Sequence, residues 1–174
     1  MKNFDTFLEL AESRYSVRSF EDRQIDREVV QKMLRAAQVS PTAHNNQPQR
    51  IYVLQSEEAI AKVRSLSHYT FNAPTVFMVC ADLDAAWHGR DGHNSGQVDA
   101  AIAATHMMMT ACDEGLGTCW VRGFDKDEIA RAFGLPEQYE VVCLLLAGYP
   151  SEKAAPLKGW HDKRKRIEEF TQIL

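Results

Sequence analysis

Thr75-Val76-Phe77-Met78-Val79-Cys80-Ala81 is the stretch of this sequence that predicts the fold most clearly. Nearly every position is apolar, without the alternation expected of a strand that has one face in water. The run therefore predicts a central β-strand that is covered on both faces. A second apolar run, Tyr139 to Ala147, predicts another core strand.

Helical patterns lie on either side of these two strands. The predicted helices are residues 4–12, 25–39, 56–66, 96–114 and 125–133, and the predicted shorter strands are residues 51–54 and 118–121. The helix over 96–114 is apolar nearly all round, so we expect it to lie in the core. Helices mixed with buried strands in this order predict an α/β fold, an α+β sandwich in which helices cover a small sheet.

The composition is that of an ordinary globular protein. The chain has 174 residues, which predicts one domain over residues 1–174. Hydrophobic residues make up 45% and charged residues 25%, which excludes a disordered tail or a charged coiled-coil rod. The net charge of -4 gives no positive field that would attract nucleic acid or an anionic membrane. No apolar stretch reaches the roughly 18 residues of a membrane-spanning helix.

Cysteine usage and the first residues predict the compartment. The four cysteines are widely spaced and form no C-x-x-C pair, which predicts buried free thiols rather than disulfides or a zinc site. Residues Met1 to Asp5 contain no apolar core like that of a signal peptide. We therefore expect a cytoplasmic protein without a metal, a membrane or a nucleic-acid partner.

Three polar stretches are more than connections, and the first is Arg14-Tyr15-Ser16-Val17-Arg18. Two arginines with a serine between them can converge on one anion. The guanidinium fork and the hydroxyl are both donors that suit a phosphate. The alternative is a solvated turn after the first helix.

The other two stretches lie at 40–49 and 115–124. The former holds two prolines and a cluster of amides, which predicts a braced loop that presents polar groups to a heterocycle. The alternative is a structural loop whose amides satisfy its own backbone. The latter is rich in glycine, so its backbone can approach a planar ligand and donate N–H groups to it. Cys119 is an alternative nucleophile there, without a histidine and an orienting partner nearby in sequence.

Together, in this order, the three stretches resemble the nitroreductase family of FMN-dependent oxidoreductases. The matching motifs are R-x-S-x-R-x-F, S-P-[ST]-x-x-N-x-Q-P and G-L-G-T-C-W-x-x-G-F. Ala73-Pro74 and Asp99 also match, and the resemblance runs from Arg14 to the basic tail. It implies a nitroreductase-like fold with a small mixed, mainly antiparallel sheet and a C-terminal arm.

The resemblance also implies roles for the matching residues. The FMN phosphate and ribityl chain would be held by Arg14, Tyr15, Ser16, Arg18 and, from the arm, Arg164. The flavin would be flanked, in part across a subunit boundary, by Pro41, Thr42, Ala43, Asn45 and Gln47. Backbone amides would face the ring at Val121, Arg122 and Gly123. The basic excess of residues 158–169 in an acidic chain agrees with a phosphate partner for the arm.

The implied activity is electron transfer from NAD(P)H, by way of FMN, to a small acceptor such as a nitroaromatic or a quinone. The flavin would carry the chemistry, without a catalytic side chain, in a homodimer with shared sites. The alternatives are a flavin-binding protein or sensor without turnover, reductive dehalogenation, and flavin-consuming oxygen chemistry. Two segments match no motif of the family: residues 160–162 depart from its usual approach to the arm, and residues 67–72 leave the acceptor open.

Overall fold

The computed structural model describes residues 4–174, so predictions that concern residues 1–3 lie outside the described residues. The helices are α1 (Phe7–Ser13), α2 (Arg27–Gln38), α3 (Glu57–Leu66), α4 (Gly96–Asp113) and α5 (Lys126–Phe133). The strands are β1 (Gln49–Leu54), β2 (Thr75–Asp82), β3 (Gly117–Val121) and β4 (Tyr139–Gly148). Short 3₁₀ turns occur at Ala43–Asn45 and Ile167–Glu169. No helix among the residues described is both long and apolar enough to cross a membrane.

The sheet has the strand order β1-β2-β4-β3, and each neighbouring pair is antiparallel. All eight residues of β2 are buried, which confirms the prediction that this strand is central. The parallel component is a single bridge between Ser16 and Thr118. Helices α2 and α4 cover one face of the sheet and α3 and α5 the other, which confirms the predicted fold class.

Alternation along β2 divides the core into two layers. Phe77 and Val79 point towards α2 and α4, whereas Val76 and Met78 point towards α3 and α5. This follows from the two-residue period of a strand, which sends successive side chains to opposite faces. All four cysteines are free and buried, as predicted.

The first helix begins later than predicted, at Phe7 instead of Phe4. Thr6 is its N-cap: the Thr6 hydroxyl accepts from the N–H of Glu9 at 3.2 Å, and the Glu9 carboxylate accepts from the N–H of Thr6 at 3.3 Å. Such a capping box satisfies two backbone donors that otherwise lack partners, which sets where the helix begins.

The long helix α4 is buried on one face only, so the prediction that it lies in the core is confirmed for that face of the single chain and not for the opposite face. Ala100, Ala103 and Met107 are completely buried against the sheet and α2. On the opposite face the side chain of Val98 is 51% exposed, and Met109 is partly exposed. A helix in an outer layer packs against the rest of the chain on one side only, so the apolar residues on its other side are exposed to solvent.

Candidate functional site

The first polar stretch is an extended segment alongside β3, and the alternative of a solvated turn is wrong. The N–H of Val17 donates to the carbonyl of Thr118 at 2.9 Å, and Ser16 forms a parallel bridge with the same residue. Val17 is 2% exposed and points into the protein. Because alternate residues of an extended chain share a side, Arg14, Ser16 and Arg18 can face one ligand.

Gly117 brings this segment close to β3. A Cβ atom at position 117 would lie 2.5 Å from Cγ2 of Val17, so a larger residue there requires Val17 to move. Gly117 lies within β3. Helix α4 ends at Asp113, and Gly115, with a φ of +79°, makes the turn that follows.

A pocket of about 130 Å³ lies beside the first segment, and we call it the anion pocket. It is lined by Arg14, Tyr15, Ser16, Arg18, Leu157, Trp160, His161 and Arg164. All five residues predicted for the phosphate and ribityl chain therefore meet in one place. Within residues 4–174, none of its three guanidinium groups has a carboxylate oxygen within 4.0 Å. An uncompensated set of positive charges of this kind favours an anionic ligand.

Two of the three arginines, Arg18 and Arg164, are held by backbone carbonyls, and Arg18 also by aromatic rings. Nη1 of Arg18 donates to the carbonyl of Ser16 at 3.1 Å, and Nη1 of Arg164 donates to that of Trp160 at 2.8 Å. The guanidinium of Arg18 lies 5.9 Å from the ring centroid of Phe71 and 5.7 Å from that of Trp160. These contacts use few of the five donors of each guanidinium, so the others are available to a ligand.

Cys119 lies near the same charges. Burial raises the pKa of its thiol, and the positive charges of Arg18 and Arg14 oppose that rise without cancelling it. The nucleophilic form of cysteine is the thiolate, so a raised pKa disfavours the alternative in which Cys119 attacks a substrate.

A larger cleft of about 550 Å³ adjoins the anion pocket, and we call it the aromatic cleft. It is lined by Arg18, Tyr69, Phe71, Cys119, Trp120, Val121, Arg122, Gly123, Leu157 and Trp160. The backbone N–H groups of Arg122 and Gly123 have no acceptor among the residues described. A Cβ atom at position 123 would lie 2.3 Å from the Tyr69 ring, so glycine is what lets that ring approach the backbone.

The two segments that matched no motif both line these cavities. Tyr69 and Phe71 form a wall of the aromatic cleft, while Trp160 borders both cavities and His161 borders the anion pocket. The backbone of Phe71 is left-handed, with a φ of +48°, which is uncommon for an aromatic residue. A cluster of aromatic residues in a short polar loop was the only sequence signal for this wall.

The second polar stretch lies at the opposite edge of the sheet from these two cavities. It leads into β1, whereas the aromatic cleft lies at the end of β3, and these are the two outer strands of the sheet. Three inter-strand spacings of about 4.8 Å, about 14 Å in all, separate them. Neither cavity is lined by Pro41, Thr42, Ala43, Asn45 or Gln47. One chain therefore brings together the first and third stretches but not the second.

The second stretch is nevertheless tightly fixed. The carboxylate of Asp99, which is 2% exposed, accepts from the N–H of Ala43 at 2.9 Å and from the hydroxyl of Ser95 at 2.7 Å. Trp87 stacks on His44 with ring centroids 5.4 Å apart. Three residues of the loop are left-handed, namely His44, Asn45 and Gln47. Backbone strain of this kind costs about 1–3 kcal/mol per residue and is typical of loops that clamp a ligand.

Comparison with known proteins adds a family. The family model described as "Nitroreductase family" matches residues 11–71 and 64–149, which include all three polar stretches. A nitroreductase family protein of Clostridium difficile 630 is 35% identical, with 98% of each chain covered and a TM-score of 0.90.

Two further relatives carry names that describe an activity. The FMN-dependent nitroreductase of Clostridium difficile R20291 is 25% identical, covers 83% of this chain and 87% of its own, and has a TM-score of 0.73. The FMN reductase (NAD(P)H) of Bacillus subtilis is 26% identical over 160 residues, which are 80% of this chain and 64% of that protein.

Proposed function

Because the chain belongs to the nitroreductase family, we propose that it is an FMN-dependent oxidoreductase that passes electrons from NAD(P)H to a small acceptor such as a nitroaromatic or a quinone. The observation that carries this proposal is the anion pocket, with three guanidinium groups, opening into an aromatic cleft. The names of the relatives support the same activity, since one is FMN-dependent and another is a reductase that uses NAD(P)H.

The chemistry of these cavities fits FMN. The anion pocket suits a terminal phosphate, which carries up to two negative charges, because its donors are arginines and a serine hydroxyl. The aromatic cleft, of about 550 Å³, is bordered by four aromatic side chains and by backbone N–H groups that have no acceptor within residues 4–174, as a planar ring with polar edges requires. Arg18 lies where the two cavities meet, so its guanidinium can contact both the phosphate and the flavin ring.

The protein contributes position and electrostatics to the reaction. Bound FMN supplies the transfer of two electrons and a proton, so that a quinone, NAD(P)H and H⁺ become a hydroquinone and NAD(P)⁺. Arg14, Ser16 and Arg164 would hold the phosphate end. The backbone N–H groups of Arg122 and Gly123, which have no acceptor among the described residues, would donate to the ring edge, and the charge of Arg18 would stabilise the negative charge that reduction adds there.

We propose that the functional unit is a homodimer in which the 41–47 loop of one subunit completes the aromatic cleft of the other. The loop is rigid and presents exposed side chains, yet among the described residues it lines neither the anion pocket nor the aromatic cleft of its own chain. The open face of α4 supplies apolar surface for association, since Val98 is 51% exposed, and Phe7 of α1 is 71% exposed. Exposed apolar side chains on these two neighbouring helices favour an interface.

The cytoplasm is the compartment that we propose for this dimer. All four cysteines are free and buried. Free thiols persist where glutathione and thioredoxin keep the environment reducing. On cell fractionation, we expect the dimer in the cytosolic fraction with its cysteine thiols reduced.

The decisive experiment is anaerobic reduction of the purified protein. We expect a yellow protein whose heat-released flavin co-migrates with FMN on chromatography and whose 450 nm absorbance is bleached by NAD(P)H and restored by a quinone. Recovery of FAD, or of no flavin after reconstitution, contradicts the cofactor. A bound FMN that NAD(P)H does not bleach contradicts the enzyme and supports a sensor. Light scattering on the same sample tests the dimer, and a monomer that turns over contradicts the shared site.

A further inference from the structure

The side chain of Arg122 lies where it can bind a ligand, in addition to the backbone N–H contact with the flavin expected of this residue. The residue borders both the aromatic cleft and a second cleft of about 550 Å³ between α4 and the end of β3. One of its guanidinium nitrogens donates to the carbonyl of Val142, which fixes the side chain on the sheet. The residue is exposed, so the other guanidinium donors are directed at solvent or at a ligand.

The charge of Arg122 is not neutralised within the described part of the chain. No carboxylate oxygen lies within 4.0 Å of its guanidinium there. Glu140 is an acid of the neighbouring strand, but it already accepts from Nζ of Lys126 at 2.7 Å and from the amide of Gln97. The rim of the aromatic cleft therefore carries a net positive charge next to Gly123.

The walls beside this charge are aromatic. Tyr69, Phe71, Trp120 and Trp160 border the aromatic cleft, and the centroids of the first two rings are 6.4 Å apart. Flat rings of this kind favour a stacked aromatic ligand. A guanidinium beside them adds a fork that matches the two oxygens of a carboxylate.

We infer that Arg122 is a specificity-determining residue that makes the enzyme prefer aromatic acceptors bearing a carboxylate over neutral acceptors of the same shape. The inference rests on the proposed function and names the substrate class of that site. The acceptor ring lies between the bound flavin ring and the wall formed by Tyr69 and Phe71, and its carboxylate binds the Arg122 guanidinium. In the loaded enzyme the FMN phosphate engages Arg14 and Arg164, and Arg18 contacts both the phosphate and the flavin ring, so Arg122 is left for this carboxylate.

The test uses the FMN-loaded enzyme and two ligands that it cannot reduce, benzoate and benzamide. Each is titrated while the visible spectrum of the bound flavin is followed. A charge-assisted contact at a partly exposed site predicts that benzoate binds about five- to tenfold more tightly than benzamide. Arg122→Gln abolishes the preference, and Arg122→Lys retains part of it because the charge remains without the fork. Lys126→Gln is the matched control and keeps the preference, since Lys126 is already paired with Glu140.

The same comparison applies to turnover. The ratio of kcat/KM for 4-nitrobenzoate to that for 4-nitrobenzamide falls towards one in Arg122→Gln, mainly through KM. An equal affinity of the native enzyme for benzoate and benzamide overturns the inference. A variant that loses dimer stability while keeping the ligand preference also overturns it, since Arg122 then pairs with the second copy. A protein that binds no FMN, or whose FMN is not reduced by NAD(P)H, contradicts the proposed function instead.

Discussion

Substituting Gly117 by alanine tests whether the spacing between β3 and the first segment sets the anion pocket. The new Cβ lies 2.5, 2.7 and 2.9 Å from three carbons of Val17. Carbon atoms in contact need about 3.5 Å, so Val17 and the backbone beside it must move by about 1 Å. Overpacking of this kind costs about 1–3 kcal/mol of the free energy of unfolding. The movement also shifts Arg14 and Arg18, and loss of one charge-assisted bond weakens FMN binding about 10- to 100-fold.

Urea denaturation of the apoprotein and fluorescence titration with FMN measure the two effects separately. Gly148→Ala is the control, because Gly148 pairs with Gly117 in the sheet but its Cβ would meet Pro74 and Phe20, at 2.9 and 3.0 Å. The control loses stability and keeps most of its FMN affinity. Adding Val17→Ala to Gly117→Ala removes two of the three close carbons and restores part of both quantities. A Gly117→Ala protein with native FMN affinity would refute the claim that this spacing positions the arginines.

Three further predictions follow from individual contacts. Arg14→Ala weakens FMN binding by about 1.5–3 kcal/mol, whereas Lys158→Ala, which removes an exposed charge outside the anion pocket, leaves FMN binding nearly unchanged. FMN titration of both apoproteins measures this difference, and equal losses of affinity count against the anion pocket as the phosphate site. Asp99→Ala lowers the free energy of unfolding by about 2–4 kcal/mol and frees the 41–47 loop, whereas Asp99→Asn, which still offers an acceptor, costs about 1 kcal/mol. Denaturation measures the loss of stability, and the FMN affinity of the dimer reports the release of the loop. Burial raises the pKa of the Cys80 and Cys143 thiols from 9.0 to about 12, so above pH 9 the unfolded chain releases protons that the folded chain keeps. The free energy of unfolding therefore falls between pH 9 and 12, by about 1.4 kcal/mol per pH unit for each thiol, and a variant with alanine at both positions shows a flatter profile in urea denaturation.

The sequence contained the local chemistry of the site. The alternation of Arg14, Ser16 and Arg18 is informative because an extended chain places these side chains together whatever the fold around them. The apolar run of β2 is equally decisive, since few structures other than a central strand bury every residue of such a run. Predictions of this kind depend on residues close to one another along the chain.

The arrangement of the stretches in space depends on strand order, which no local pattern specifies. Nothing in residues 40–49 indicates that they lead into the strand at the opposite edge from β3. In the same way, the apolar pattern of α4 predicts burial but cannot distinguish the sheet from a second copy of the chain. Tyr69 and Trp160 become neighbours of one cleft only after the whole chain has folded.

The pairing of the first segment with β3 also has a consequence for the order in which the site is made. The N–H of Val17 donates to the carbonyl of Thr118 at 2.9 Å although the two residues lie far apart along the chain. Contacts between distant parts of a chain form slowly, because closing a long loop costs more entropy than closing a short one. During synthesis the first segment therefore pairs only after β3 has emerged, and the anion pocket is complete only after Arg164 has emerged as well. On the proposed function, a nascent chain therefore gains its complete phosphate site only after Arg164 has left the ribosome.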